Sequence, residues 1–480
     1  MNHRMVLRII GLLVLAEAAL LTLPALVSLI YGEASVWSLL ITMAVCAAVG
    51  GLLVLVCRTK NKTIYARDGF VIVSLGWLTM SALGAMPFVI SGEIPNYIDA
   101  FFETVSGFTT TGASIIPDLS KLSHGILFWR SFTHWVGGMG VLVFILAIIP
   151  NIADRSIHIM RAESPGPVVG KIVPRMKDTA MLLYIMYIGL TLIEVVLLLC
   201  GGLSLFESLV YSFGTAGTGG FGIRGDSIAS YSPYIQWVIG VFMMLFGVNF
   251  NIYYLLLVRK LKAAFGSTEL RVYLGIILAS TAVIAFNIRN LYSGLPEIIR
   301  VAFFQVSSVM TTTGYSTVDF SVWPELSKGI LLVLMLIGGC AGSTGGGMKV
   351  SRVVILFKSA KKEIKRLLHP RTVSYVKFEG KKLDEQVIGS VGGYFILYFA
   401  LMIGVMLLLS FDSLSFEEYI TGAISCFNNI GPAEGRLFGG YMDYSGFSKL
   451  VLSFAMLAGR LEIYPMLLLL LPSTWIRKGF

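Results

Sequence analysis

Four short stretches of glycine and small polar residues could carry chemistry in this chain. They read Thr109-Thr110-Thr111-Gly112-Ala113-Ser114, Thr215-Ala216-Gly217-Thr218-Gly219-Gly220, Thr311-Thr312-Thr313-Gly314-Tyr315-Ser316 and Asn428-Asn429-Ile430-Gly431-Pro432. Glycine tolerates the φ values that turn successive carbonyls to one side, and a ring of carbonyls can replace an ion's hydration shell. Threonine hydroxyls ahead of the glycine can add oxygens and tie the turn down. Uncharged oxygens suit a hard monovalent cation that must also leave again. The candidate ligands are Thr110, Thr111 and Gly112; Thr218, Gly219 and Gly220; Thr312, Thr313 and Gly314; and Asn429, Ile430 and Gly431. The fourth stretch has Asn and Ile where the first and third have threonine, so its side chains break fourfold symmetry. One matched glycine per turn, against two in the TVGYG loop of potassium channels, predicts a short ring with few ion positions.

A second constellation lies in Gly338–Gly347. It holds Gly338, Gly339, Gly342, Gly345, Gly346 and Gly347 with Ala341, Ser343 and Thr344, all inside an apolar run. Each interior glycine costs a helix about 1 kcal/mol, so this run should break near its middle. A phosphate loop needs Gly, four residues, then Gly-Lys-Ser/Thr; counted from Gly342, Met348 stands where lysine is required. Close packing of helices through small residues is the other use of such a stretch. Arg460 falls within the last apolar run. An arginine there costs about 2.5–3.5 kcal/mol on insertion scales and is paired or functional. Glu462 is two residues away and so points from a different helix face, which leaves the glycine-segment carbonyls, Ser343 and Thr344 as acceptors.

These residues need elements to hold them. Of the 480 residues 56% are apolar and 13% charged, against about 25% charged in soluble domains. Apolar runs lie at about 8–30, 37–57, 69–91, 125–149, 179–203, 235–258, 271–293, 328–356, 389–410 and 447–471. Each is long enough to cross a bilayer as a helix. The expected fold is an all-α polytopic membrane protein of ten spanning helices. Asn249 and Asn251 read as interhelical hydrogen-bonding groups within run six, and His134 as a core histidine.

The net charge of +10 is unevenly placed. One set of connections holds Arg58, Lys60, Lys62 and Arg67; Arg155, Arg161, Lys171, Arg175 and Lys177; Arg259, Lys260, Lys262 and Arg271; and nine lysines and arginines in 358–388. Arg4 and Arg8 open the chain, and Arg477 and Lys478 close it. Basic connections resist translocation, so both termini and these loops are expected on the cytoplasmic side. The charge is thus an orientation signal rather than a nucleic-acid footprint. Cys46, Cys57, Cys200, Cys340 and Cys426 form no CxxC pair and imply no disulfide framework or zinc site.

Four outward connections each contain a semi-apolar stretch too short to span, at 99–108, 205–214, 296–310 and 415–427, and each runs into one of the four turns. Anchored on Gly112, Gly219, Gly314 and Gly431, helix, half-helix, glycine turn and helix recur about every 100 residues. The organisation is two leading spans in 1–66, then pseudo-symmetric units at 67–155, 156–265, 266–365 (with the glycine segment) and 366–480. Adjacent inverted repeats, the mark of many secondary transporters, would put alternate turns on opposite sides, whereas all four turns here exit on one side. No HExxH or GxSxG motif and no paired span carboxylates support an enzyme.

The four linked units, the two leading spans, and the segments SFTHWVGGMG (131–140) and GGCAGSTGGGMKVSR (338–352) together resemble the Trk/Ktr/HKT superfamily of potassium uptake proteins, in its TrkH branch. The resemblance covers nearly the whole chain. It implies potassium as the ion, with no organic cofactor, and a filter in which glycine in every unit goes with potassium preference, whereas serine in the first marks sodium-conducting relatives. It implies that residues 338–347 form an intramembrane loop obstructing the pore, and that Arg460 projects beneath the filter. It further implies a homodimer in the lipid bilayer of a bacterial inner membrane, and a cytosolic nucleotide-binding partner of the TrkA type, for which 358–388 is a docking candidate. A sodium or weakly selective path, and proton- or sodium-coupled symport, remain open on the same residues.

Overall fold

A computed structural model of the chain describes residues 1–59, 64–140, 176–372, 374–433, 435 and 440–475. Lys60, Lys62, residues 141–149 of the fourth apolar run, Arg155, Arg161, Lys171, Arg175, Arg436, Arg477 and Lys478 lie outside the described residues, as does the expected boundary at 155–156.

The described chain is almost entirely helical. It opens with α1 (His3–Leu20), α2 (Thr22–Ile30) and α3 (Ser35–Val56). There follow α4 (Ala66–Gly84), α5 (Met86–Ser91), α6 (Tyr97–Phe108) and α7 (His124–Gly138), then α8 (Met176–Cys200), α9 (Leu205–Gly217), α10 (Pro233–Phe246), α11 (Phe250–Leu257) and α12 (Leu261–Gly266). Next come α13 (Thr268–Asn287), α14 (Leu295–Met310), α15 (Glu325–Leu336) and α16 (Val350–Leu368), and a small hairpin of β1 (Lys377–Phe378) and β2 (Lys381–Lys382). The chain ends with α17 (Glu385–Leu409), α18 (Phe416–Asn428), α19 (Gly446–Arg460), α20 (Tyr464–Leu470) and α21 (Pro472–Trp475).

Among the described residues six stretches are long and apolar enough to cross a membrane: His3–Ile30, Ser35–Val56, Arg67–Ser91, Ala180–Cys200, Thr268–Asn287 and Glu385–Leu409. A seventh is bent, with α10 and α11 meeting at 92°. Large apolar side chains such as Trp37, Leu52, Ile185, Phe286 and Ile396 stay exposed on these helices, as lipid-facing positions require. The four short helices α6, α9, α14 and α18 coincide with the four stretches expected to be too short to span. Their inner ends are wholly buried; Phe102, Val210, Phe304 and Phe427 are examples. Ser204 and Ser415 cap α9 and α18 in capping boxes with Glu207 and Glu418, and Asn96 caps α6, so these helices start on side-chain signals.

Among the described residues three of the apolar runs are broken: 328–356 as its glycines predict, and two expected as continuous helices. Run 235–258 bends at Gly247–Asn249, because Asn249 accepts the Asn251 N–H at 2.9 Å and starts a new helix there. This corrects the reading of Asn249 and Asn251 as interhelical groups: Asn249 is a helix cap and Asn251 is exposed. The backbone groups freed by the bend go to the glycine segment, with Cys340 N–H donating to Gly247 O at 2.9 Å and Phe250 N–H to Gly342 O at 3.0 Å. Run 328–356 stops at Leu336 and resumes at Val350. Run 447–471 breaks after Arg460, where Glu462 and Ile463 take φ of 56° and 71°.

Asn249→Ala removes a cap worth about 1 kcal/mol. We expect a lower melting temperature in detergent and a parent-like one for Asn249→Asp; equal melting for the alanine variant and the parent would show that the bend does not depend on this cap.

Candidate functional site

The four short helices end in the same turn. The N–H of Thr111 donates to Ser106 O at 2.9 Å, Gly219 to Gly214 O at 2.8 Å, Thr313 to Ser308 O at 2.9 Å and Ile430 to Ser425 O at 2.9 Å. This is the closing bond of a Schellman-type helix end. The residue before each of these donors is left-handed without being glycine: Thr110 at φ 56°, Thr218 at 57°, Thr312 at 61° and Asn429 at 58°. Such residues cost on the order of 1–3 kcal/mol each and cluster where function over-determines the backbone. Two positions on comes a glycine at positive φ: Gly112 at 80°, Gly220 at 77°, Gly314 at 84° and Gly431 at 101°.

Those glycines close the turns into a ring. A Cβ on Gly112 would fall 2.0 Å from Gly219 O, one on Gly220 2.1 Å from Thr313 O, one on Gly314 2.0 Å from Ile430 O and one on Gly431 2.6 Å from Thr111 O. Each turn thus packs its glycine against a carbonyl of the next, and the fourth returns to the first. The equivalent of Gly112 is therefore Gly220, not Gly219, and the spacing anchor in the second unit slips by one residue. Three glycines flank Thr218 there, and spacing cannot choose among them; the hydrogen bonds do. Gly219 stands where the other turns carry Thr111, Thr313 and Ile430. A side chain on it would meet the His134 ring at 2.2 Å. His134 is a core residue, as expected, donating through Nδ1 to Gly107 O at 2.8 Å and packing its ring 4.1 Å from that of Phe221.

Side chains behind the ring hold it. Thr111 and Thr313 hydroxyls bond those of Thr109 and Thr311, each at 2.8 Å. Asn429 Nδ2 donates to Thr111 Oγ1 at 3.0 Å and to Met456 O at 2.9 Å, which explains an asparagine in the fourth turn. Tyr315 donates to Phe221 O at 2.9 Å and Tyr441 to Gly431 O at 2.7 Å. Sequence reasoning missed a buried ion pair: Arg130 Nε lies 2.6 Å from Glu103 Oε1. Glu103 also accepts from Ser114 Oγ at 3.0 Å and Ile115 N–H at 2.9 Å, and Arg130 donates to Gly222 O at 3.1 Å. The pair therefore ties together the strands leaving the first two turns. On this face the four ring glycines, with Asp226 and Asp319, line a cavity of about 260 Å³.

On the other face lies the glycine segment. Gly346 N–H donates to Thr312 Oγ1 at 2.6 Å, and a Cβ on Gly345 would lie 3.0 Å from Thr311 O. Gly338 packs against Gly346 O, and Gly339 O accepts the Val350 N–H at 3.2 Å. Ser343 donates to Cys340 O at 2.7 Å, Thr344 to Phe246 O at 3.2 Å, and Gly342 and Gly347 take positive φ. Arg460 donates to Thr344 O at 2.7 Å, and to Gly137 O and Gly138 O at 2.6 and 2.8 Å. Its sequence neighbour Glu462 faces Arg352 instead, at 3.0 and 2.5 Å. A second cation escaped the sequence reading: Lys349, buried, donates to Gly345 O and Gly346 O. A lysine inside an apolar run was the available signal. Lys349, Arg460 and the glycine backbone enclose a cavity of about 80 Å³.

Long apolar helices around a ring of irregular backbone define a multi-pass helical membrane protein. Comparison with known proteins gives the same class and narrows it. The family description "TrkH: Cation transport protein" matches residues 37–288 and 289–477, so the chain belongs to the TrkH family of transporters and is not an enzyme. It is 36% identical to the Trk system potassium uptake protein TrkH of Escherichia coli K12, over 99% of this chain and 100% of that protein. It is 33% identical to TrkG of the same organism, over 98% of each chain. The crystal structure of the potassium transporter TrkH from Vibrio parahaemolyticus superimposes with a TM-score of 0.90 at 33% identity, covering 99% of this chain and 100% of that one.

Removing one partner of a buried pair leaves an uncompensated charge, at about 3–5 kcal/mol. We expect Arg130→Ala to lose monodisperse protein and the double change Arg130→Ala, Glu103→Gln to recover part of it. A double variant no better than the single would show that charge pairing is not what Arg130 contributes.

Proposed function

We propose that this chain is the pore-forming subunit of a potassium uptake system, with ten spans, four pseudo-symmetric units and a filter formed by the ring of turns. The observation that carries this reading is the ring closure: four glycines each backed by a carbonyl of the next turn. The oxygens available there are uncharged, as a monovalent ion in transit requires. The short helices all point their C-termini at the ring. Each helix end carries roughly half a negative charge, which favours a cation without binding it irreversibly. Potassium, rather than sodium, is supported by glycine in all four turns and by the names of the relatives.

The segment Gly338–Gly347 is the gate. It bears on the third turn, and Arg460 bonds it to the end of α7. A guanidinium keeps its charge in essentially any protein setting and would repel a cation 4 Å away by about 4 kcal/mol at an effective dielectric of 20. A gate side facing the cytoplasm of a bacterial inner membrane is supported by the basic segment at 358–388 and the charged termini. A homodimer and a cytosolic nucleotide-binding partner of the TrkA type complete the system.

Purified protein in liposomes tests the reading. We expect potassium flux to exceed sodium flux in the parent. In folded Gly112→Ser, the added Cβ pushes the Gly219 carbonyl away, and the potassium-to-sodium ratio should fall. An unchanged ratio would remove this glycine from the filter.

The gate has a separate test in the same vesicles. Arg460→Ala should raise partner-free flux and leave the ratio intact, with Arg460→Lys closer to the parent. Flux at or below the parent's in folded Arg460→Ala would contradict the barrier.

A further inference from the structure

One carboxylate ties the gate segment to the helix that follows it. Glu269 Oε1 accepts the N–H of Ala341 at 2.7 Å and the N–H of Ser351 at 3.1 Å. These two donors flank the stretch that holds Ser343, Thr344 and Lys349. Glu269 is buried in the first turn of α13. Its own N–H donates to a second carboxylate, Glu379 Oε1, at 3.0 Å, and the Ser267 hydroxyl donates to the same atom at 3.0 Å. Glu379 thus sits at the N-terminus of α13, where a negative group is favoured.

Glu379 reaches that place at a conformational cost. It forms, with Gly380, the two-residue turn between β1 and β2, at φ 48° and 74°. Two successive positive φ values call for Asn, Asp or Gly at the first position. A left-handed glutamate is an outlier of the kind that marks a functional constraint. The hairpin is seated through Val376, Phe378 and Leu383, all buried, while Lys377, Lys381 and Lys382 face outward. Lys358 of α16 donates to Lys377 O at 2.9 Å, so the hairpin holds the helix that leaves the gate as well as the helix that pins it.

We propose that Glu269 and Glu379 are positioning residues of the gate: Glu269 ties the segment to the helix that follows it, and Glu379 locks the helix end that carries Glu269. Movement of the exposed hairpin then frees the segment without any contact at the ring. The proposal rests on reading Gly338–Gly347 as the gate, and its test separates the two. Cys340 is buried in the segment beside Ala341, and Cys200 is the exposed cysteine. In full-length protein carrying Cys200→Ser, the rate at which a charged methanethiosulfonate modifies Cys340 reads the pinning, and partner-free potassium flux in liposomes reads the gate.

We expect Glu379→Ala, which loses both hydrogen bonds to a charged acceptor, to speed Cys340 modification by at least about tenfold. Flux should rise and the potassium-to-sodium ratio should stay unchanged. Glu379→Gln keeps an acceptor oxygen and should stay near the parent. Adding Glu379→Ala to Glu269→Ala should increase the rate no further, since both act through one chain of contacts. If Glu379→Ala does not give folded protein, Ser267→Ala, which removes one of the two contacts, should show the same effect at smaller size. Faster modification without added flux would uphold the pinning and overturn the gate reading. Modification at the parent's rate in folded Glu379→Ala, alongside raised flux in Arg460→Ala, would overturn the pinning and leave the gate standing.

Discussion

The structure depends on one constraint: backbone that is not helical can stand at membrane depth only if the protein satisfies its polar groups. Four helix ends bring such backbone together, and they solve the problem jointly. Each turn closes its own helix with one long-reaching N–H and packs a glycine against its neighbour's carbonyl. Because the contact is glycine to carbonyl, the four backbones approach more closely than any side chain would permit. Under the proposed function, the carbonyls of these turns meet a dehydrated cation in transit. The ring is held from behind by Asn429, Tyr315, Tyr441 and the Glu103–Arg130 pair, none of which imposes a charge on its centre as a bare carboxylate would.

The gate side applies the same chemistry with the ion built in. There the carbonyls of Thr344, Gly345 and Gly346 are met by Arg460 and Lys349. A tethered cation satisfies carbonyls permanently, whereas a passing ion does so for a moment. In the proposed function the ring is the path and the glycine segment its obstruction, although both are built from glycine and hydroxyl residues. The break in α10–α11 belongs to this arrangement, since its freed Gly247 carbonyl and Phe250 N–H are used by the segment itself.

The short helices were legible because a semi-apolar stretch of ten to sixteen residues ending in glycine has few other uses. The glycine segment and Arg460 were legible for a similar reason: both are expensive inside an apolar run. What escaped was whatever depends on local geometry rather than composition. Hydropathy cannot see that Asn249 caps a helix in the middle of run 235–258. Spacing cannot choose among Gly217, Gly219 and Gly220, because the choice is made by the backbone hydrogen bond that closes the turn at Gly219. Glu103, Arg130, Glu269 and Glu379 act through partners 11 to 112 residues away, and such pairings carry no periodic signal.

The central claim, that the four turns form a cation-binding ring, is tested most directly by diffraction from crystals grown in rubidium, with data collected at the rubidium absorption edge. The account predicts an anomalous peak on the axis enclosed by Thr110–Gly112, Thr218–Gly220, Thr312–Gly314 and Asn429–Gly431, lost when sodium replaces rubidium. A well-ordered ring with no peak at its centre, or a peak only at a site away from these four turns, would contradict it.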